Sequence, residues 1–179
     1  MAAIVSQLIY NCLVIMNKQK LPVTPAIHML REHGVAFTDH PYDYEEKGGT
    51  TVSARELGVE EHAVVKTLVM EDDDTNPLIV LMHGDRQVST KELARIIGVK
   101  KISPCKPEVA HRHSGYQVGG TSPFGTRKPL RVYLEQTILD LPRIYINGGA
   151  KGYLVGMNPK ELVRLLQPVL VEVGIEQKA

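Results

Sequence analysis

Five short runs of β-branched and apolar residues, each bounded by Gly, Pro or Asp, alternate with segments that carry helix-capping signals. The runs span residues 64–70, 78–82, 130–134, 143–146 and 169–173. Runs of this length and composition predict β-strands. Because helical segments separate them at irregular intervals, we expect a mixed sheet covered by helices, which is the α+β class.

Four segments carry the residues that begin helices. Thr24-Pro25 supplies an N-cap followed by a first-turn proline, and Asn158-Pro159 predicts a last helix through about Gln167. Ser53 and Ser89 each stand three residues before a glutamate, which is the spacing of a capping box. Glycines that can end a helix in the left-handed conformation follow the first three segments at positions 34, 58 and 98.

The charged residues are unevenly spread along the chain. Its 179 residues are 43% hydrophobic and 23% charged, which suits one globular domain, and the net charge is only +1. Between residues 100 and 151, however, nine lysines and arginines stand against three acidic residues. This segment predicts a face that meets a polyanion, and an ordinary mixed surface is the alternative.

We divide the chain into an N-terminal extension, residues 1–23, and one domain over residues 24–179. Residues 2–16 are apolar but too few to span a bilayer, and no basic residue precedes them as in a secretory signal. Met16 is a second candidate for the start of translation. We therefore expect a cytoplasmic protein with no membrane segment.

Metal and cofactor chemistry is not expected of this sequence. Cys12 and Cys105 are too few for a disulfide framework or a zinc site, and His111 and His113 would face different sides of a helix. The sequence also lacks a nucleophile elbow, a His-Glu metal motif and a phosphate-binding loop. A hydrolase with this sequence would depend on backbone donors, bound water and groups of the substrate itself.

Three segments carry residues that are unusual for their position. Lys66 lies in the middle of an apolar run, so its amine either reaches the surface or points into a polar pocket that binds an anion. Gly119-Gly120 and Gly148-Gly149 each allow the backbone to approach a ligand closely. Ordinary hairpin turns would also explain both glycine pairs, since Asn147-Gly148 is a typical hairpin dipeptide.

Together these segments resemble the YbaK/EbsC family. The resemblance lies in four motifs that occur in the family's order and spacing: TPA from Thr24, VKTL from Val65, GYQVGGTSPFG from Gly115 and INGG from Ile146. It implies an α+β fold with a mixed, barrel-like sheet flanked by helices, shared with the editing domain inserted in bacterial prolyl-tRNA synthetases. It also implies deacylation of mischarged tRNA without a cofactor, chiefly Cys-tRNA(Pro) and also Cys-tRNA(Cys).

The resemblance further implies roles for single residues. Catalytic roles fall on a lysine and a loop: Lys66, Gly119, Gly120, Thr121 and Ser122. Substrate binding falls on a tyrosine and the second glycine loop: Tyr42, Asn147, Gly148 and Gly149. Separately from the resemblance, the basic excess between residues 100 and 151 predicts that four residues bind tRNA: Arg127, Lys128, Arg131 and Lys151. The partners implied are aminoacyl-tRNA and a prolyl-tRNA synthetase, while the oligomeric state stays open.

Two positions depart from the family pattern and leave the preferred amino acid open. Asn147 replaces a serine of some members, and Leu154 replaces an aspartate. For a cysteinyl substrate we expect the substrate's own thiol to attack the ester, so neither Cys12 nor Cys105 is the nucleophile, and Cys105 is expected outside the pocket. A non-catalytic aminoacyl-tRNA or synthetase-binding module, and a generic esterase, are the alternative functions.

Overall fold

Residues 21–177 are described by a computed structural model, in which five helices and ten strands follow one another along the chain. The helices are α1 (Pro25–Glu32), α2 (Gly49–Leu57), α3 (Thr90–Ile97), α4 (Pro107–Ser114) and α5 (Lys160–Leu166). The strands are β1 (Phe37–Pro41), β2 (Val64–Asp72), β3 (Pro77–His83), β4 (Arg86–Val88), β5 (Ile102–Pro104), β6 (Arg131–Glu135), β7 (Ile144–Ala150), β8 (Tyr153–Met157), β9 (Val169–Val171) and β10 (Gly174–Glu176). Short 3-10 turns occupy Glu61–Ala63 and Gln136–Asp140.

Most strands form one mixed sheet in the order β1-β8-β7-β2-β3-β6-β9, while β5 pairs with a further part of β2. The pairs β2–β7, β3–β6 and β6–β9 are parallel, and the remaining pairs of this sheet are antiparallel. Strands β4 and β10 form a separate two-stranded ribbon. The predicted α+β class and mixed sheet are confirmed. Because β1 and β9 lie at opposite edges, the sheet stays open and does not close into a barrel.

Both faces of the central strand β3 are buried. Ile79 and Leu81 pack into one core together with α1, whereas Val80 and Met82 face a second core that includes Leu93 of α3. Burial of each such side chain stabilises the fold by about 1.5–3 kcal/mol. Strand β3 therefore anchors the middle of the sheet between two layers of helices.

Strand β2 has one partner along one edge and two partners along the other. On one edge β3 pairs with it from Val65 to Glu71. On the opposite edge β7 pairs only with Val64 and Val65, and β5 pairs only from Met70 to Asp72. Between these two partners the sheet is split, and this split positions the site described below.

The predicted secondary structure needs two corrections around the glycine-rich segments. Strand β7 does not end before Asn147 but continues to Ala150 with a register shift, and the chain turns at Lys151 and Gly152. A bulge stabilised by hydrogen bonds of the Asn147 side chain therefore stands where the alternative interpretation expected an Asn-Gly hairpin turn. The Gly119-Gly120 segment is no hairpin either, since it connects α4 to β6.

Helix α2 begins at Gly49, four residues before the predicted cap Ser53, and its N-cap Gly48 makes no side-chain hydrogen bond. The Ser53 hydroxyl instead donates to the Thr50 carbonyl within the helix. The caps at Thr24 and Ser89 are confirmed, since their hydroxyls accept from the N–H groups of Ile27 and Glu92. Across residues 21–177, no helix combines the length and apolar character that a bilayer crossing requires. Residues 1–20, which hold most of the predicted extension and Cys12, lie outside the described residues.

Candidate active site

The split beside β2 opens into a cleft of about 560 Å³. Its walls include β2 from Val64 to Met70, the segment from Tyr42 into the start of α2, the loop that follows α4, and residues of β7, β8 and the turn between them. Six residues predicted to be functional line this cleft: Tyr42, Lys66, Gly119, Thr121, Asn147 and Lys151. The fold thus collects residues from four distant sequence segments around one cavity.

Lys66 is half-buried on β2 and lines the cleft. Desolvation by burial lowers the pKa of its ammonium, and the carboxylates of Glu61 and Asp85 oppose this shift from a distance. None of the ion pairs formed among residues 21–177 includes Lys66. Its positive charge is therefore available to an anionic or electron-rich ligand in the cleft.

The loop after α4 presents some of its predicted residues to the cleft and buries others. Gly119 has a φ of +87°, which a side chain rarely adopts, and it is exposed at the cleft. Gly120 already donates its N–H to the carbonyl of Gln117 at 2.9 Å. Ser122 is fully buried, and its hydroxyl accepts from the N–H of Phe124 at 3.3 Å. Of this loop's predicted residues, only Gly119 and Thr121 face the cleft.

The Asn147 side chain joins the two glycine segments. Its amide nitrogen donates to the carbonyls of Gly119 and Ala150, each at 3.2 Å, while its oxygen accepts from the N–H groups of Gly149 at 2.7 Å and Ala150 at 3.2 Å. Gly148 is buried, and its carbonyl accepts from the Thr24 hydroxyl. Gly148 and Gly149 therefore shape the bulge of β7 and do not line the cleft.

Tyr44 also lines the cleft, although it is not among the residues predicted to be functional. The Lys151 ammonium lies 5.0 Å from the centre of the Tyr44 ring and pairs with Glu46 at 2.8 Å. A Cβ atom on Gly119 would stand 2.5 Å from the Tyr44 hydroxyl. Tyr44 therefore closes the wall between Tyr42 and the Gly119 loop, and the alternation of two tyrosines on either side of Asp43 was the only signal for it.

Cys105 also lines the cleft, so the prediction that it lies outside the pocket is wrong. Its backbone N–H donates to the carbonyl of Val69 at 3.1 Å, which draws the residue after β5 against the edge of β2. Burial, with the nearby carboxylate of Glu71 as a second cause, raises the pKa of the Cys105 thiol to about 11. The thiol is therefore protonated at neutral pH, where a nucleophilic cysteine would be a thiolate.

Residues 46–165 match the family described as the aminoacyl-tRNA editing domain. The chain belongs to this family. The chain is 26% identical to EbsC of Enterococcus faecalis over 90% of its own length and 99% of that protein. EbsC is named provisionally as a Cys-tRNA(Pro)/Cys-tRNA(Cys) deacylase. It is also 30% identical to a proline–tRNA ligase of Streptococcus equi subsp. zooepidemicus over 58% of this chain, but that match spans only 17% of the ligase.

Solved structures share the fold of the editing domain. A hypothetical protein superposes with a TM-score of 0.78 at 21% identity, covering 85% of this chain and all of that chain. A protein described provisionally as a trans-editing enzyme for prolyl-tRNA synthetase superposes with a TM-score of 0.73 at 22% identity, covering 88% of this chain. The family match and the similarity to EbsC, together with this shared fold, confirm the resemblance to the YbaK/EbsC family.

Three of the four basic residues assigned to tRNA lie away from the cleft of the editing domain. Arg127 and Lys128 are exposed, and their backbone N–H groups donate to the carbonyls of Ser114 and His113 at the end of α4. Arg131 is exposed at the start of β6. Only Lys151 lines the cleft, and it also borders a second cavity of about 400 Å³ next to Gly120 and Gly149. Within residues 21–177, no three His, Cys, Asp or Glu side chains are grouped to hold a metal ion.

Proposed function

We propose that the chain is a trans-editing deacylase that releases the amino acid from mischarged tRNA, chiefly Cys-tRNA(Pro) and also Cys-tRNA(Cys). The observation that carries the proposal is one cleft lined by Lys66, Gly119 and Asn147 in a member of the aminoacyl-tRNA editing family. The name of EbsC and the similarity to part of proline–tRNA ligases support this substrate. The enzyme acts in the cytoplasm, and a prolyl-tRNA synthetase is the partner from which it receives substrate.

In the proposed reaction the cleft binds the aminoacyl end of the tRNA. Lys66 attracts the terminal nucleotide or its phosphate by its charge. The N–H groups of Gly119 and Thr121 donate to the ester carbonyl and stabilise the negative charge that develops on its oxygen. Gly120 and Ser122 stabilise this loop, because the Gly120 N–H already donates to the Gln117 carbonyl and Ser122 is buried.

A cysteinyl substrate supplies its own nucleophile. Its sulfur forms a bond to the ester carbon, the bond from that carbon to the ribose oxygen breaks, and the thiol proton passes to the ribose oxygen. The attack is effective because it is intramolecular. The protonated Cys105 in the same cleft is consistent with this route, because the reaction needs no thiolate from the protein.

The proposal is tested with a panel of tRNA(Pro) charged with Cys, Ala, Ser or Pro and incubated with the full chain. We expect release of cysteine to be fastest, with Ser slower because its hydroxyl is the poorer nucleophile, and Pro retained. Release is measured against uncatalysed ester hydrolysis, and product identification distinguishes cyclised from free cysteine. Equal release of Cys and Pro would contradict the proposed specificity. Binding of aminoacyl-tRNA with no release above the uncatalysed rate would contradict the deacylase and favour a binding module.

A second prediction separates the substrate thiol from the protein thiols. The double variant Cys12→Ala with Cys105→Ala should deacylate Cys-tRNA(Pro) at a rate within about twofold of the parent, because neither sulfur enters the reaction. The thermal midpoint is measured as a control, since Cys105 packs against the core. Loss of activity in a folded double variant would contradict the substrate-assisted route and make Cys105 the leading candidate for the nucleophile.

A further inference from the structure

The split in the sheet leaves one residue of β2 facing the cleft with its backbone. Val65 pairs with β7, and the carbonyl of Val69 accepts from the N–H of Cys105 at 3.1 Å, so both residues direct backbone groups away from β3. Backbone groups alternate between the two edges of a strand with a period of two. Thr67, midway between them, therefore directs its N–H and C=O toward the same edge.

No strand among residues 21–177 pairs with Thr67 on this edge. Its side chain adds a third polar group, because the Thr67 hydroxyl is buried and has no hydrogen-bond partner. Thr67 lines the cleft, and its backbone N–H and C=O face the gap between β7 and β5. Buried polar groups are almost always paired, and exceptions call for an explanation such as a ligand.

We propose that the backbone of Thr67 binds the aminoacyl group of the substrate as a neighbouring strand would. This inference rests on the proposed function and names the subsite for its amino acid. The substrate ammonium donates to the Thr67 carbonyl, and the ester carbonyl accepts from the Thr67 N–H. The ammonium and the ester carbonyl of an aminoacyl group are spaced like the N–H and C=O of one strand residue. The group can therefore form the two hydrogen bonds with Thr67 that neither β7 nor β5 provides.

The length of the gap restricts its occupant to one amino acid. The four steps from Val65 to Val69 span about 13 Å of strand, and only Thr67 between them faces outward. A peptide would collide with β7 or β5 at its next residue, whereas an aminoacyl group ends in a ribose that can leave the sheet toward Lys66. The Thr67 N–H would then bind the ester oxygen from the wall opposite Gly119, giving that oxygen donors from two sides.

Amide hydrogen exchange of the full chain tests the subsite without relying on turnover. The ligand is a cysteinyl-adenosine in which an amide replaces the ester, and adenosine alone is its control. In the free protein we expect the Thr67 N–H to exchange faster than those of Lys66 and Leu68, which point toward β3. Saturating cysteinyl-adenosine should slow Thr67 exchange at least about tenfold, and adenosine should not. Protection of Thr67 in the free protein, or no added protection with ligand, overturns the subsite.

Two variants test the same N–H in catalysis. Thr67→Pro removes the N–H without removing a bond to β3, and it should lower kcat for Cys-tRNA(Pro) about 100-fold. Thr67→Val removes only the hydroxyl and should lower kcat much less. If the parent and Thr67→Pro are equally active, the subsite is overturned but the proposed deacylase activity is retained. If the parent is inactive and also fails to bind cysteinyl-adenosine, both proposals are overturned. If Thr67→Pro does not fold, the exchange result decides.

Discussion

At the scale of single residues, the half-buried charge of Lys66 works against the stability of the fold. Burial lowers the pKa of its ammonium, so the folded chain holds this proton less tightly than the unfolded chain does. The destabilisation is therefore fully present at pH values below the lowered pKa, and it is relieved as the pH rises toward the ordinary value of 10.5. A charge kept at this position against stability is expected where a ligand uses it.

We predict that Lys66→Met loses activity without losing stability. Methionine keeps the apolar stem but removes the charge, so deacylation of Cys-tRNA(Pro) should fall about 100-fold, while the thermal midpoint at pH 7 stays at or above that of the parent. Lys91→Met, at an exposed site on α3, is the matched control and should change neither quantity. A Lys66→Met protein with normal deacylation would show that the charge has no part in the reaction.

Single residues also show how much of the cleft can be predicted from the sequence. Lys66 could be selected because a charge inside an apolar strand is unusual in any sequence. Cys105 and Tyr44 could not be selected, because each reaches the cleft through contacts with residues far along the chain, Val69 for one and Lys151 for the other. No local pattern in the sequence encodes such contacts.

At the scale of structural elements, the Gly119 loop and the bulged end of β7 form one interlocked unit. A Cβ atom on Gly120 would stand 2.9 Å from the backbone of Ala150 and Lys151, and one on Gly119 would meet Tyr44. The Asn147 amide ties the same two segments by hydrogen bonds. The glycine pairs were visible in the sequence, but the hairpin interpretation failed because Asn147 bonds across the bulge instead of turning the chain.

We predict that Gly119→Ala lowers activity more than stability. The positive φ costs the variant about 1 kcal/mol, and the clash with Tyr44 also displaces the loop that we propose binds the ester. Gly34→Ala is a matched control, since Gly34 has a φ of +63° and no atom within 4 Å of an added Cβ. Both variants should lower the thermal midpoint similarly, but only Gly119→Ala should lower kcat. Equal kcat in the two variants would remove the loop from the mechanism.

At the scale of the whole molecule, charge is distributed so that the chain is almost neutral while one segment is basic. Arg127 and Lys128 are exposed beside the end of α4, and Lys151 reaches the cleft itself. A tRNA whose end enters the cleft would carry its phosphates past such residues, so association should weaken with salt. The sequence predicted the basic segment, but it could not separate the cleft-lining lysine from the distant ones.

We predict that Arg127→Glu with Lys128→Glu raises the KM for Cys-tRNA(Pro) while kcat changes little. The dependence of log KM on log salt concentration should become shallower by about 1 to 2, as expected when phosphate contacts are lost. Lys91→Glu with Lys160→Glu changes the net charge equally at exposed positions on other helices, which controls for total charge. An identical rise in KM for both pairs would mean that overall charge, rather than this site, governs association.

The pairing of β1 with β8 has a consequence for when the enzyme first becomes competent. Phe37 lies opposite Met157 and Pro41 opposite Tyr153. Strand β1, which leads into Tyr42 and Tyr44, therefore pairs with a strand that is more than a hundred residues later in the chain. A ribosome releases the chain from its N-terminal end, and contacts of such separation form late. A nascent chain that has not yet delivered β8 therefore has no finished cleft, and the cleft forms only after residues 153–157 have left the ribosome.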